Sequence, residues 1–138
     1  MSINKQAIEK LLSETQKRMT YPMTADDFIV NATRYIKAIS EGRMMCVIDS
    51  VSRSGMSRVM HFSEFNIERE TGRVYHFWNL FKALGYSESR NKNGFLINGC
   101  GMDMVFNTNY NIIHTLQNLG FLTKAQCDKL AQKTPTIL

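Results

Sequence analysis

The apolar positions of this chain are spaced as in helices at first, then as in strands. Between residues 3 and 18, Ile3, Ala7, Ile8, Leu11 and Leu12 fall on one face with charges elsewhere, which predicts an amphipathic helix. Met19-Thr20-Tyr21-Pro22-Met23 interrupts it, because Pro22 restricts Tyr21 and supplies no backbone donor. Thr24 then caps a second helix, with Asp26 and Asp27 at the positive end of its dipole. Its apolar positions are Phe28, Ile29, Ala32, Tyr35, Ile36 and Ile39, and Gly42 is its expected stop. Neither helix carries a catalytic pattern, so both read as packing elements.

From Met44 the period changes. Met44 to Ile48 is a continuous apolar run suited to a strand covered on both faces, and residues 50–58 interrupt it. Val59 to Ile67 resumes as a second strand, in which Val59, His61, Ser63, Phe65 and Ile67 alternate with Met60, Phe62, Glu64 and Asn66. Glu70-Thr71-Gly72 forms the expected hairpin turn, and Arg73 to Phe77 the returning strand. Trp78, Leu80, Phe81 and Leu84 predict a short helix ended by Gly85, and Ser87 to Asn93 a polar loop. Asn93-Gly94 turns the chain into a fourth strand, Phe95 to Ile97. A helix over 103–118 is stopped by Gly120, and Thr123 to Gln126 has the form of a capping box opening a last short helix that Thr134-Pro135 ends. The expected fold is α+β: a small, mainly antiparallel sheet of about four strands flanked by helices, two of them N-terminal and one long and C-terminal.

Composition narrows the class. With 138 residues, 43% hydrophobic and 21% charged, the chain reads as one globular domain. It comprises a helical part over 1–42, an α+β core over 43–120 and a short helix with a tail over 121–138. The longest apolar run is far short of the roughly 20 residues that span a membrane. Lys5, Glu9 and Lys10 stand where a secretory signal has its apolar core, so the expected location is the cytoplasm. Cys46, Cys100 and Cys127 show no close pairing, which suits reducing surroundings. A net charge of +5 favours an anionic partner without naming one.

Two segments concentrate candidate chemistry. Ser50-Val51-Ser52-Arg53-Ser54-Gly55-Met56-Ser57-Arg58 lies between strands and carries two guanidiniums, four hydroxyls and a glycine. Arg53 and Arg58 offer planar forks to phosphate or carboxylate, Ser52, Ser54 and Ser57 add short donors, and Gly55 allows backbone N–H groups to turn inward. The plainer reading is a solvated hairpin loop whose serines bond their own backbone. Length counts against it, since a plain hairpin needs only about two to five residues. The second segment, Asn98-Gly99-Cys100-Gly101-Met102-Asp103, joins a strand to a helix start, so Gly99, Cys100 and Gly101 bring free N–H groups and a positive dipole end together. The third glycine of a dinucleotide fingerprint is missing and no Walker lysine–hydroxyl pair follows. Asp103 is equally suited to capping that helix.

Other chemistries are weaker. Cys100 beside a helix start and arginines could be a nucleophile, with His61 or His76 as base and Asp103 as third member. The hairpin implied by Gly72, however, puts His76 opposite the Phe65 region, so that His61 and His76 are not direct neighbours. No CxxC, HxxxH or paired-carboxylate spacing suggests a metal, and no cofactor is expected. Arg43, Arg53, Arg58, Arg69, Arg73, Lys82, Arg90 and Lys92 interleave with Phe62, Phe65, Tyr75, Phe77 and Trp78, as in single-strand RNA or DNA binders. In so small a domain most of these rings are needed for the core.

Taken together, Val51-Ser52-Arg53-Ser54-Gly55-Met56-Ser57-Arg58, Ala83-Leu84-Gly85-Tyr86 and Gly99-Cys100-Gly101-Met102-Asp103-Met104 resemble a family of small phage and prophage proteins, over roughly residues 44–118. In that family the second motif often continues Gly-Phe-His, where this chain has Val105-Phe106-Asn107, which lowers an enzymatic reading. The resemblance implies context: an accessory protein in the host cytoplasm that binds a host molecule and counters host defence. Three functions are carried forward. The first is non-catalytic binding of a phosphate-bearing, nucleotide-like ligand by the two segments. The second is inhibition of a host protein through the basic hairpin face, and the third an enzyme with Cys100 as nucleophile. A homodimer is compatible with any of them.

Overall fold

The computed structural model describes residues 2–15, 22–51, 57–65, 75–98, 103–133 and 135–137. Helices α1 (Lys5–Thr15) and α2 (Ala25–Ser40) come first. Strands β1 (Met44–Val51), β2 (Ser57–Glu64) and β3 (Tyr75–His76) follow, then α3 (Trp78–Ala83) and β4 (Phe95–Asn98). Helices α4 (Asp103–Asn118) and α5 (Lys124–Ala131) and a two-residue strand β5 (Thr136–Ile137) complete the chain. The class is the expected α+β.

Helix ends form where the local chemistry requires them. Thr24 Oγ1 accepts the Asp27 N–H at 3.1 Å while the Asp27 carboxylate accepts the Thr24 N–H at 3.2 Å, and Thr123 and Gln126 repeat the arrangement at α5. Gly120, past the end of α4, has φ of +93°, and a Cβ there would lie 2.1 Å from the Ser2 carbonyl oxygen. Glycine is required on both counts. The same turn ties down the start of the chain, with the Asn4 N–H donating to the Leu119 carbonyl at 2.8 Å.

Strand β2 is the centre of the sheet. Arg58 to Glu64 pair antiparallel with β1, and the other edge of β2 is shared, β4 taking Ser57 to Met60 and β3 taking Ser63 and Glu64. Strand β5 pairs parallel with β1 at Met45 and Cys46, an addition too short for any sequence period to reveal. Alternation along the sheet sends Met44, Cys46, Met60, Phe62, Phe95 and Ile97 into a core shared with Phe28, Tyr35, Phe81, Ile112 and Ile113. Within it Tyr35 meets Phe77 edge-on at 5.2 Å, Phe62 meets Phe81 at 5.3 Å, and Phe81 meets Phe95 at 5.0 Å. The aromatic run that suggested base stacking is thus largely structural: Phe62 and Phe77 are buried, and Tyr75 is covered by the Arg34 guanidinium at 3.7 Å. The Tyr35 hydroxyl, driven to higher pKa by burial, donates to Asn109 Oδ1 at 2.6 Å and links α2 to α4.

A carboxylate, that of Glu64, lies on the inward face near the end of β2. Glu64 accepts from Arg34 Nε at 2.6 Å and from the Arg43 guanidinium, which also pairs with Glu41 at 2.7 Å. The knot binds α2 to the start of β1 and the end of β2. Burial alone would raise the Glu64 carboxyl, but hydrogen bonds from Arg34 and Arg43 outweigh it and hold the pKa below the ordinary 4.5. A depressed carboxyl contributes stability that is complete above its unfolded value and lost as pH falls through the folded one. Urea unfolding across a pH series should therefore show the wild type losing stability below about pH 4.5 while Glu64→Gln lacks that component. At neutral pH the variant should be less stable by about 1–3 kcal/mol, short of a fully buried pair because Arg34 is half exposed.

Candidate functional site

The sheet brings the ends of both candidate segments together. Val51, the last residue of β1, faces Arg58, and Ser57, the first residue of β2, faces Asn98, the last of β4. The chain thus leaves β1, enters β2 and leaves β4 at one end of the sheet, on strands spaced roughly 4.8 Å apart. Ser52, Arg53, Ser54 and Gly55, with Gly99, Cys100 and Gly101, lie outside the described residues. Of the rest, Arg58 is half-buried on β2, and Asp103 is the exposed first residue of α4.

One expectation is corrected here. Residues 50, 51, 57 and 58 belong to the strands, so the interruption over 50–58 shrinks to a five-residue connection, 52–56. That falls within the plain hairpin range, and length no longer separates an anion-contacting loop from an ordinary one. The reason is that Ser50, Val51, Ser57 and Arg58 gain ladder partners on β2, β1 and β4, which three polar side chains around a single valine gave no cause to expect.

A cleft of about 330 Å³ adjoins this end of the sheet, between the Gly85–Ser87 turn, β4 and the first turns of α4. Tyr86, Leu96, Ile97 and Met104 supply its apolar surfaces; Ser87, Asn98, Asn107, Thr108 and Asn111 supply its polar ones. Met104, Asn107, Thr108 and Asn111 share one face of α4 because their spacing is three and four residues. A larger cleft of about 600 Å³ lies where β1 begins, between Ser40–Gly42 and Gln132–Lys133. It sits at the carbonyl end of α2, whose negative dipole end opposes an anion, and roughly 23 Å along β1 from the paired strand ends. The smaller cleft is therefore the one associated with the candidate segments.

On the sheet face opposite the core is a polar cluster that the sequence did not reveal. Ser63 Oγ lies 2.7 Å from His76 Nδ1 and 3.2 Å from His61 Nδ1, and the two imidazole centres are 5.3 Å apart. His61 and His76 are neighbours, contrary to expectation, because His76 pairs with Ser63 and not with the Phe65 region. Asp49 stands at a bulge in β1, where its carboxylate reaches to 3.8 Å of His61 Nε2. With both rings neutral, one arrangement opposes no groups. His61 Nε2–H faces Asp49, the Ser63 hydroxyl donates to His61 Nδ1, and His76 Nδ1–H donates to Ser63 Oγ. His76 Nε2 is then left as a proton acceptor on an exposed residue. The His-x-Ser alternation was the available signal; the register that adds His76 was not.

The two described thiols, Cys46 and Cys127, play no visible part. Burial pushes the Cys46 pKa up to about 12 and raises that of Cys127, so both are inert. Among the described residues no His, Cys, Asp and Glu group is arranged to hold a metal, and no helix is long and apolar enough to cross a membrane. Comparison of the chain with protein-family models, curated proteins and solved structures finds no match.

Burial, and then the neighbouring His76, lower the His61 pKa from 6.5 against the pull of Asp49. The neutral ring's contribution to stability is complete above pH 6.5 and is lost as pH falls through the lower folded value. In an NMR titration of ring protons, His61 should titrate below 6.5, and His76→Asn should move it upward but not fully back, because burial remains.

Proposed function

We propose that this protein binds a phosphate-bearing, nucleotide-like ligand without transforming it. The binding place is the end of the sheet where the 52–56 and 99–101 segments follow adjacent strands. The observation that carries the reading is the pairing of Ser57 with Asn98 beside that of Val51 with Arg58. It gives two segments, distant in sequence, a common origin, one bringing Arg53 and Arg58, the other the start of α4. Guanidinium forks and free helix N–H groups are complementary to phosphate oxygens. The resemblance to phage proteins adds the setting, an accessory that captures a nucleotide-derived signal in the host cytoplasm and so counters defence.

A protein partner is the second reading, and a different observation favours it. Phe106 and Tyr110 are 38% and 37% exposed, and the rings of Phe106, Tyr110 and His114 stack along α4 at 6.4 and 5.8 Å. Exposed aromatics are enriched at protein interfaces.

A thermal-shift screen with nucleotides, cyclic oligonucleotides, ADP-ribose derivatives and short single-stranded RNA separates the two. A ligand at 100 times its Kd stabilises by about 2.7 kcal/mol, worth roughly 5–10 °C in a domain of this size. The expected result is such a shift in the wild type and none with Arg53→Ala and Arg58→Ala, each folded by circular dichroism. A flat response across the panel, or full shifts in both variants, would overturn the anion site and leave the α4 face as the interface to pursue.

A further inference from the structure

We infer that the 330 Å³ cleft beside the paired strand ends is the seat of a nucleobase, and that the base it accepts is adenine. This rests on the proposed anion site, since it makes the cleft the second half of a nucleotide-binding surface. Asn98 joins the halves: its backbone pairs with Ser57 at the end of β4, and the residue lines the cleft.

The lining explains the choice of ligand. None of the described lining residues is Lys, Arg, Asp or Glu, so the cleft suits a neutral group and leaves phosphate to the strand ends. Its polar wall holds three primary amides, Asn98 from β4 and Asn107 and Asn111 one turn apart on α4. None of these amides bonds to another described side chain, whereas Thr108 already donates to the Met104 carbonyl at 2.8 Å. A side-chain amide presents one donor and one acceptor in a plane, which matches adenine N7 and N6 in a bidentate pair. Guanine is met best by Arg or Lys and the cytosine amine by Asp or Glu, and the lining has none of the four. The apolar surfaces suit the faces of a planar heterocycle. Met104, in the first turn of α4, is buried, and the half-buried Tyr86 ring is braced by Phe81 at 5.1 Å. The volume is at the small end of the roughly 300–1,000 Å³ typical of ligand clefts, consistent with one base and not a dinucleotide.

Calorimetry with AMP, GMP, adenosine and ribose 5-phosphate, on wild type, Arg58→Ala and the double variant Asn107→Leu, Asn111→Leu, tests this. Both asparagines are exposed on α4, and leucine keeps the helix. The expected pattern is AMP tighter than GMP and ribose 5-phosphate by about 10-fold or more, with that margin removed in the asparagine variant while ribose 5-phosphate binding is unchanged. AMP and ribose 5-phosphate binding equally to the wild type would overturn the base site and leave the anion site standing. Adenosine binding that Arg58→Ala leaves intact and the asparagine variant abolishes would support the cleft even if AMP gained nothing from its phosphate, which would remove the anion reading. No binding of any of the four would overturn both.

Discussion

Everything in this molecule is referred to the register of β2. A strand that pairs along both edges cannot slide, and each residue is fixed to one face by the period of two. Met60, Phe62 and Glu64 point to the helices, while Val59, His61 and Ser63 point away. A slip of one residue would turn the His61 and Ser63 side of the strand toward the helices and Phe62 away from them. The same register brings Ser57 against Asn98 and Ser63 against His76, so the core, the candidate binding end and the histidine bridge are consequences of one alignment.

Glu64 makes that alignment costly to lose. On the inward face of β2, Met60 and Phe62 are hydrophobic residues that another register could also bury, but the Glu64 carboxylate is tolerated there only where two guanidiniums await it. Arg34 comes from α2 and Arg43 from the turn before β1, so only the native arrangement of helix, turn and strand satisfies the charge. Arg34 is in turn held flat against Tyr75 at 3.7 Å, which extends the constraint to β3. An apolar residue at this position would be compatible with more arrangements than the carboxylate is.

What could be read from the sequence divides along physical lines. Helices were legible because their signals are local. Thr24 with Asp27, Thr123 with Gln126, and Gly120 each act within a turn, and α4 spans the expected 103–118. The alternation of β2 was legible for the same reason. Strand ends were not, because Ser50, Ser57 and Arg58 are held by partners on other strands and not by their own preferences. The His61–Ser63–His76 bridge was missed because it depends on which residue of a returning strand faces Ser63, a difference of two positions that composition does not encode. The amide cleft was missed because Asn98, Asn107 and Asn111 come from two elements, and asparagine on an exposed helix face signals nothing until a wall stands opposite.

Net charge is a weaker guide to partners than the placement of uncommitted cations. Lys5 faces Asp26, Lys82 faces Glu88, and Arg34 and Arg43 close on Glu64, so these contribute little field beyond their own pairs. Arg58 differs: it stands at the strand end, and no described carboxylate pairs with it. On the proposed reading, a guanidinium so placed, next to a cleft whose described lining is neutral, offers a place for charge beside a place for a flat polar ring. A lone cationic patch would attract any polyanion, and a lone amide cleft would hold a base too weakly to matter. On that reading their adjacency would favour ligands in which a phosphate and a heterocycle are covalently joined, because the second contact would form at the high effective concentration set by the first.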